Sequence, residues 1–279
     1  MPAIRAIDKL ADILANSENF LQRMHDLGQE PAASKELRRL FSPTEAGEMV
    51  GHDRTTLARA DAEIGLPPPA RNPENNRRVG YTLEQIQAFR KHFGKLPWRD
   101  PATDQPIIVA CQNFKGGVGK STTCVNLAHY LALKGYRVLV VDTDSQATTT
   151  SMFGYVPDAE IDEDATILPY LSGYQTTLDY AVRKTYWPNI DLIPACLALY
   201  EAELAIVMHL AAQQDVEKRV QFFMELKYGL QTVADGYDVI LLDSPPALGM
   251  ISINVLMAAD ALLVPSAARM FDFSSTVQF

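Results

Sequence analysis

The sequence predicts an α/β fold in which a doubly wound, mostly parallel sheet (residues 107–279) follows an all-helical unit with a winged helix-turn-helix pattern (residues 41–100). Three observations carry that prediction. Apolar, β-rich runs at 107–111, 138–142, 190–194, 239–243 and 261–265 alternate with longer stretches of helical spacing, the order in which a parallel sheet is wound. A glycine-rich loop, Lys115 to Thr122, separates the first run from the first of those helices. The first hundred residues instead show apolar spacings of three and four with capping residues ahead of them.

Within residues 1–40, Ile4, Ile7, Leu10, Ile13, Leu14, Phe20, Leu21, Met24 and Leu27 form one apolar stripe before Gly28 and Pro31 interrupt it. Such a helix packs on its own domain or on a second copy as a dimerisation helix, and the pattern fits both. From residue 41, Ser42 is placed to cap a helix that has Pro43 at its opening position and Glu45 three residues after the cap. Gly51 permits a tight turn, and Asp53 caps a second helix. Near its start lie Arg54, Thr55, Thr56 and Arg59, where a recognition helix would present base-reading side chains, although two helices and a turn can also be purely structural. A proline-rich strand, a polar tip at Asn72 to Asn76, and the pair Arg77 and Arg78 read as a hairpin wing leading into a helix at 83–93 capped by Thr82. Pro97, Pro101 and Pro106 mark a linker, with residues 101–106 as its centre.

The run at 107–111 ends in the loop, whose Gly119, Lys120 and Ser121 fit the phosphate-loop pattern while Phe114 occupies the position of its first glycine. The helix then runs from Thr122 to Lys134, with Val125, Leu127, Ala128, Leu131 and Ala132 inward and Gly135 as its stop. A strand, a glycine loop and a helix N-terminus in that order direct backbone N–H groups at phosphate. Lys120 would neutralise the β- and γ-phosphates, and the Ser121 hydroxyl would hold Mg²⁺. Two apolar runs end in acids, Asp142 with Asp144 and then Asp243 before Ser244-Pro245-Pro246. Either acid alone could be a cap or a turn residue, but in a parallel sheet these strand ends line one crevice with the loop. Residues 147–188 give no clear chemistry, and the helix holding Leu197, Leu199, Leu204, Ile206, Val207 and Leu210 is expected to be core, with His209 packed. The stretch 271–279 looks like the start of a further helix.

Among the 279 residues, 47% are hydrophobic and 21% charged, which excludes a disordered chain. Cys111, Cys124 and Cys196 lie in or beside apolar stretches without metal-ligand spacing, as reduced core thiols do. No apolar run approaches the ~18 residues of a membrane span, and the amino terminus lacks a signal pattern, so an intracellular, cytoplasmic protein is expected. The net charge of −9 is uneven: residues 1–100 hold 15 Lys and Arg against 14 Asp and Glu, and residues 101–279 hold 10 against 20. Nucleic acid is therefore expected at the first hundred residues rather than at the acidic remainder.

Lys115-Gly116-Gly117-Val118-Gly119-Lys120-Ser121-Thr122 resembles the deviant Walker A loop of ParA/MinD-type ATPases, and the two acid-ended runs resemble that family's switch I and Walker B elements. The resemblance implies ATP, ADP and Mg²⁺ as ligands of residues 115–122, with Asp243 holding the metal through water. It implies Asp144 as the residue that positions the attacking water, with Asp142 as a second choice, and Lys115 as the lysine that reaches the partner's ATP across a homodimer. The helix-turn-helix, arginine wing and following helix resemble a MerR-like winged domain. In that order, ahead of the loop, they resemble the large, type Ia ParA partition ATPases. That resemblance implies hydrolysis of ATP to ADP and phosphate, nonspecific binding of nucleoid DNA by the ATP dimer, operon autoregulation, and a ParB-like centromere-binding partner. It also implies further strands and adenine-contacting residues beyond Phe279, so the chain looks truncated. A nucleotide-switched transcriptional regulator with little hydrolysis is the rival expectation; a MinD-like membrane role is not expected.

Overall fold

Capping chemistry sets the amino-terminal elements. In a computed structural model, residues 35–67, 71, 72, 74, 75, 79–212, 214, 215 and 221–267 are described, together with Lys9. The expected helix over 3–27, Arg77 and Arg78, and the helix start at 271–279 lie outside the described residues. Helix α1 (Pro43–Val50) opens on a reciprocal capping box between Ser42 and Glu45 and ends at Gly51, whose φ of 74° is open to glycine at little cost. Helix α2 (Arg54–Ile64) is capped by Asp53, whose carboxylate accepts from the N–H groups of Thr55 and Thr56. Thr82 and Gln85 form a second capping box for α3 (Leu83–His92). Phe41 and Tyr81 form an antiparallel bridge, and Phe41, Val50, Leu57, Leu83, Ile86 and Phe89 fill a small core of their own.

The second unit is the sheet. After β1 (Ile107–Cys111) come α4 (Lys120–Lys134), β2 (Val138–Asp142), α5 (Thr148–Met152), α6 (Leu168–Leu171), β3 (Arg183–Lys184), β4 (Ile190–Ile193), α7 (Leu199–Ala212), α8 (Glu225–Gln231), β5 (Val239–Asp243), α9 (Met250–Ala258) and β6 (Ala261–Leu263). The strand order is β3-β4-β2-β5-β1-β6, parallel throughout except for the β3–β4 pair. Alternating residues face opposite sides: Leu139, Val141, Ile240 and Leu242 pack with α8 and α9, while Val138, Val140, Val239 and Leu241 pack with α4. Each such buried Val, Leu or Ile contributes about 1.5–3 kcal/mol of burial energy. Two layers of helix on a buried parallel sheet is the doubly wound arrangement that the runs predicted.

Three local expectations change. The runs 190–194 and 261–265 pair only as far as Ile193 and Leu263, short of Pro194 and Pro265, whose nitrogens carry no hydrogen for a ladder. The two-residue β3 is polar and carried no apolar signal. In α7 Leu199 and Ile206 are buried in the core and Leu210 packs against it; Leu204 and Val207 are exposed, as is Leu197 just ahead of the helix, so the apolar spacing there overstated burial.

The two units touch through α3 and the far end of α4. Arg90, buried in α3, donates from Nε and Nη2 to the Met49 carbonyl (3.3 and 3.0 Å) and from Nη2 to the Leu133 carbonyl (2.7 Å). Both carbonyls belong to the last turns of helices, where no intrahelical donor remains. One guanidinium therefore caps α1 and α4 together. Gly135 closes α4 at a φ of 105°, and a Cβ there would meet Arg90 Nη1 at 2.8 Å. The expected linker is not a loose tether: Trp98 Nε1 donates to the Gly135 carbonyl, Arg99 to the Tyr237 and Ala234 carbonyls, and Asp238 pairs with Arg137 at 2.7 Å.

Candidate functional site

Parallel register brings the strand ends together: Cys111 lies opposite Asp243, and Asp243 opposite Asp142. The glycine-rich loop leaves this edge after β1. Asn113 anchors its base, accepting from the Lys115 N–H at 3.0 Å and donating to the Pro265 carbonyl at 2.8 Å. Gly117 and Gly119 sit at φ of 75° and 89°, in the left-handed region, and a Cβ at either, or at Gly116, would meet nothing within 4 Å. These glycines answer a backbone requirement rather than crowding, and the loop's outer side stays open to a ligand. Helix α4 begins at Gly119 with no side-chain cap. Its first N–H groups, with the positive end of the helix dipole, are thus directed at whatever anion the loop holds.

Lys120 is nearly buried, and its Nζ donates to the Lys115 carbonyl at 3.3 Å. Burial pulls its ammonium below the ordinary value, while nearby Asp243 and Asp144 pull it back up. Asp144 is itself buried and turns the chain by accepting from the Gln146 N–H at 3.0 Å. Asp142, weighed for the same role, has a different setting: it is wholly buried, with Oδ1 accepting from the Asp144 N–H and Oδ2 from the Thr150 N–H and hydroxyl, both at 2.8 Å. Both of its oxygens are thus engaged by the turn that follows β2. Burial pushes the Asp142 carboxyl up, and the Asp243 charge pushes it further. Burial also raises Asp243, partly offset by Ser121 and Thr149 beside it.

Asp243 Oδ2 accepts from the Thr149 hydroxyl at 2.7 Å, whereas Oδ1 is buried with no hydrogen-bond partner. An orphaned carboxylate oxygen beside a serine hydroxyl and an open phosphate loop fits a hard divalent cation that keeps most of its water. No group of three or more His, Cys, Asp or Glu that could hold a metal occurs among the described residues. Val118 is half-buried and Thr122 exposed on the loop's flank. A cavity of about 390 Å³ opens beside Asp144, between the 143–146 turn, α7 and Pro245 to Gly249. Another cavity, about 720 Å³ between α6 and α7, is lined in part by Glu163, Asp164 and Glu201, the wrong charge for phosphate.

Sequence reasoning missed Asn113, Thr149 and Thr150. The run Thr148 to Thr150, shortly after an acid-ended strand, was the available signal for the last two. At the other candidate site, Arg54, Thr55 and Arg59 are exposed on α2, while Thr56 donates its hydroxyl to Asp53 at 2.6 Å and so serves the helix cap.

Fold and site together define a phosphate-loop protein of the doubly wound α/β class. A family model described as an AAA domain matches residues 107–278. The chain is 38% identical over 252 residues to Protein SopA of Escherichia coli strain K12, covering 89% of this chain and 64% of that protein. It is 30% identical over 288 residues to a putative replication protein A of Rhizobium rhizogenes, covering 100% of this chain and 70% of that one. Among solved structures, cobyrinic acid a,c-diamide synthase from Mycobacterium smegmatis with bound ADP and magnesium superposes at a TM-score of 0.52 and 29% identity, over 62% of this chain and 67% of that one. A putative plasmid partition protein from Borrelia burgdorferi bound to AMPPNP gives 0.51 and 29%, over 62% and 66%. The chain belongs to the ParA/MinD family of partition ATPases. It spans 64% of the length of the SopA relatives. No helix among the described residues is long and apolar enough to cross a membrane.

Proposed function

We propose that this chain is the magnesium-dependent ATPase of a DNA-partition system, converting ATP to ADP and phosphate. The observation that carries this reading is the meeting of Lys120, Asp144 and Asp243 at one sheet edge beside the uncapped start of α4. The solved relatives that hold ADP with magnesium, or AMPPNP, support the choice of ligands. Magnesium held by Ser121 and, through water, by Asp243 would supply charge neutralisation at the β- and γ-phosphates. The N–H groups of residues 116–122 and the Lys120 ammonium bind the phosphates. Asp144 holds the attacking water, and Lys115 adds a cation to the partner's nucleotide in a homodimer as charge develops there.

Arg54, Thr55, Thr56 and Arg59, with Arg77 and Arg78, read operator DNA for autoregulation. The ATP dimer binds DNA without sequence preference on the nucleoid in the cytoplasm, and a ParB-like centromere-binding protein stimulates turnover. The solved relative named as a putative plasmid partition protein supports the partition role. Phosphate release measured with and without DNA and partner is the test; a wild-type chain that binds MgATP but never releases phosphate would discard hydrolysis. Mixing Lys115→Ala with wild-type chains is expected to silence sites, and full activity of every site would remove the cross-dimer role. A second reading, a nucleotide-switched transcriptional regulator with little hydrolysis, is favoured by one observation, the Arg90 bridge between α4 and the amino-terminal unit.

A further inference from the structure

We propose that Thr149 is a positioning residue for the metal, fixing the Asp243 carboxylate so that a single oxygen is presented to magnesium; this rests on the nucleotide-binding reading above. Thr149 and Thr150 are adjacent and fully buried, yet they treat their carboxylates in opposite ways. Thr150 donates both N–H and hydroxyl to one oxygen of Asp142, whose other oxygen takes the Asp144 N–H, so both oxygens of that carboxylate are hydrogen-bonded. Thr149 donates once, at 2.7 Å, to Asp243 Oδ2 and leaves Oδ1 buried without a partner.

The donor is held in place before any ligand arrives. A β-branched side chain in a helix has few χ1 choices. The short helix carrying Thr149 is tied at its start, where the Ala147 N–H donates to the Asp144 carbonyl at 2.8 Å, and again where Thr150 Oγ1 accepts from the Ala195 N–H at 2.9 Å. A neutral hydroxyl steadies the ionised carboxylate without adding a positive charge that would repel a cation. Groups of this kind, which orient a metal-directed oxygen without touching the metal, set affinity.

The test is a titration of MgCl₂ against a fluorescent ATP analogue on the full chain, with thermal melting alongside. Thr149→Val keeps the shape and removes the donor, and the magnesium concentration for half-saturation is expected to rise about tenfold or more. Analogue affinity in EDTA is expected to stay at the wild-type value, and Thr149→Ser, which restores the hydroxyl, to recover the wild-type magnesium midpoint. Should Thr149→Val fail to fold, Thr149→Ala replaces it with the same expected rise. An unchanged magnesium midpoint in the donor-less variant overturns the proposal, and so does a lowered melting temperature with no midpoint change, because that is packing alone. Absence of any magnesium dependence in the wild type would instead overturn the nucleotide reading itself.

Discussion

Lys120 and Asp144 are close neighbours whose removal is expected to fail in different ways. Without the Lys120 ammonium the loop retains its N–H groups but loses the charge-assisted bonds to phosphate, so Lys120→Ala is expected to weaken MgATP binding by about 2 kcal/mol or more. Asp144→Ala should bind nucleotide normally yet release phosphate about a hundredfold more slowly in single turnover; a normal rate would transfer water positioning to another group. Asp53 offers a pH test. Its cap bonds, led by the Thr56 hydroxyl, hold the carboxyl down at about 2, against 3.8 for the free group. Because the folded value is the lower one, the cap's contribution is complete above the ordinary carboxylate value and is lost as pH falls through about 2. An NMR titration of the Asp53 carboxyl that gave an ordinary value would remove the cap. That Lys120, Ser121, Asp144 and Asp243 gather at one sheet edge was legible in the sequence, because each lies at or just beyond the end of a parallel strand. Thr149 and Thr150 were not, because their role depends on which strand ends lie opposite one another, and register is a property of the folded sheet.

Helices and strands were legible to the extent that burial followed period. The four longer strands matched their runs to within a residue; β2 and β5 are buried on both faces and read as continuous apolar stretches, while β1 is open at Ile107 and β4 carries Asp191. Helix α7 departed from its pattern because an apolar spacing records what a face could bury, not what packs against it. The docking of α3 on α4 had no local signal, since Arg90 is one basic residue in the basic last turn of its helix. Its removal nevertheless leaves two partly buried helix-end carbonyls without this donor, at up to about 1–3 kcal/mol each. Arg90→Met, which keeps the apolar stem, is expected to loosen the contact without unfolding the sheet. Both tryptophans lie at this junction, Trp98 bonded to Gly135 and Trp187 packed against the amino-terminal core. Urea unfolding followed by their fluorescence should therefore shift to lower concentration than the loss of sheet signal; coincident, unshifted transitions would show that the bridge carries no stability.

Charge divides the molecule more sharply than fold does. Residues 1–100 carry 15 basic against 14 acidic groups and the remainder 10 against 20, so operator affinity is expected in the former. Replacing Arg77 and Arg78 together with Ala should weaken binding nearly evenly across sequences and flatten its salt dependence by about one unit per lost phosphate contact. Filter binding over several salt concentrations measures this, and tight DNA binding by residues 106–279 alone would reverse the division. The two halves are nonetheless joined by one rigid piece. Helix α4 spans 15 residues, about 22 Å, so a 5° tilt at the loop displaces its far end by about 2 Å. That far end is seized by Arg90. Under the proposed function, a tilt of α4 set by nucleotide at the loop would reach the amino-terminal unit through this contact. Since hydrogen bonds to carbonyls tolerate only a few tenths of an ångström, such a stroke would either carry the amino-terminal unit with it or break the Arg90 bridge.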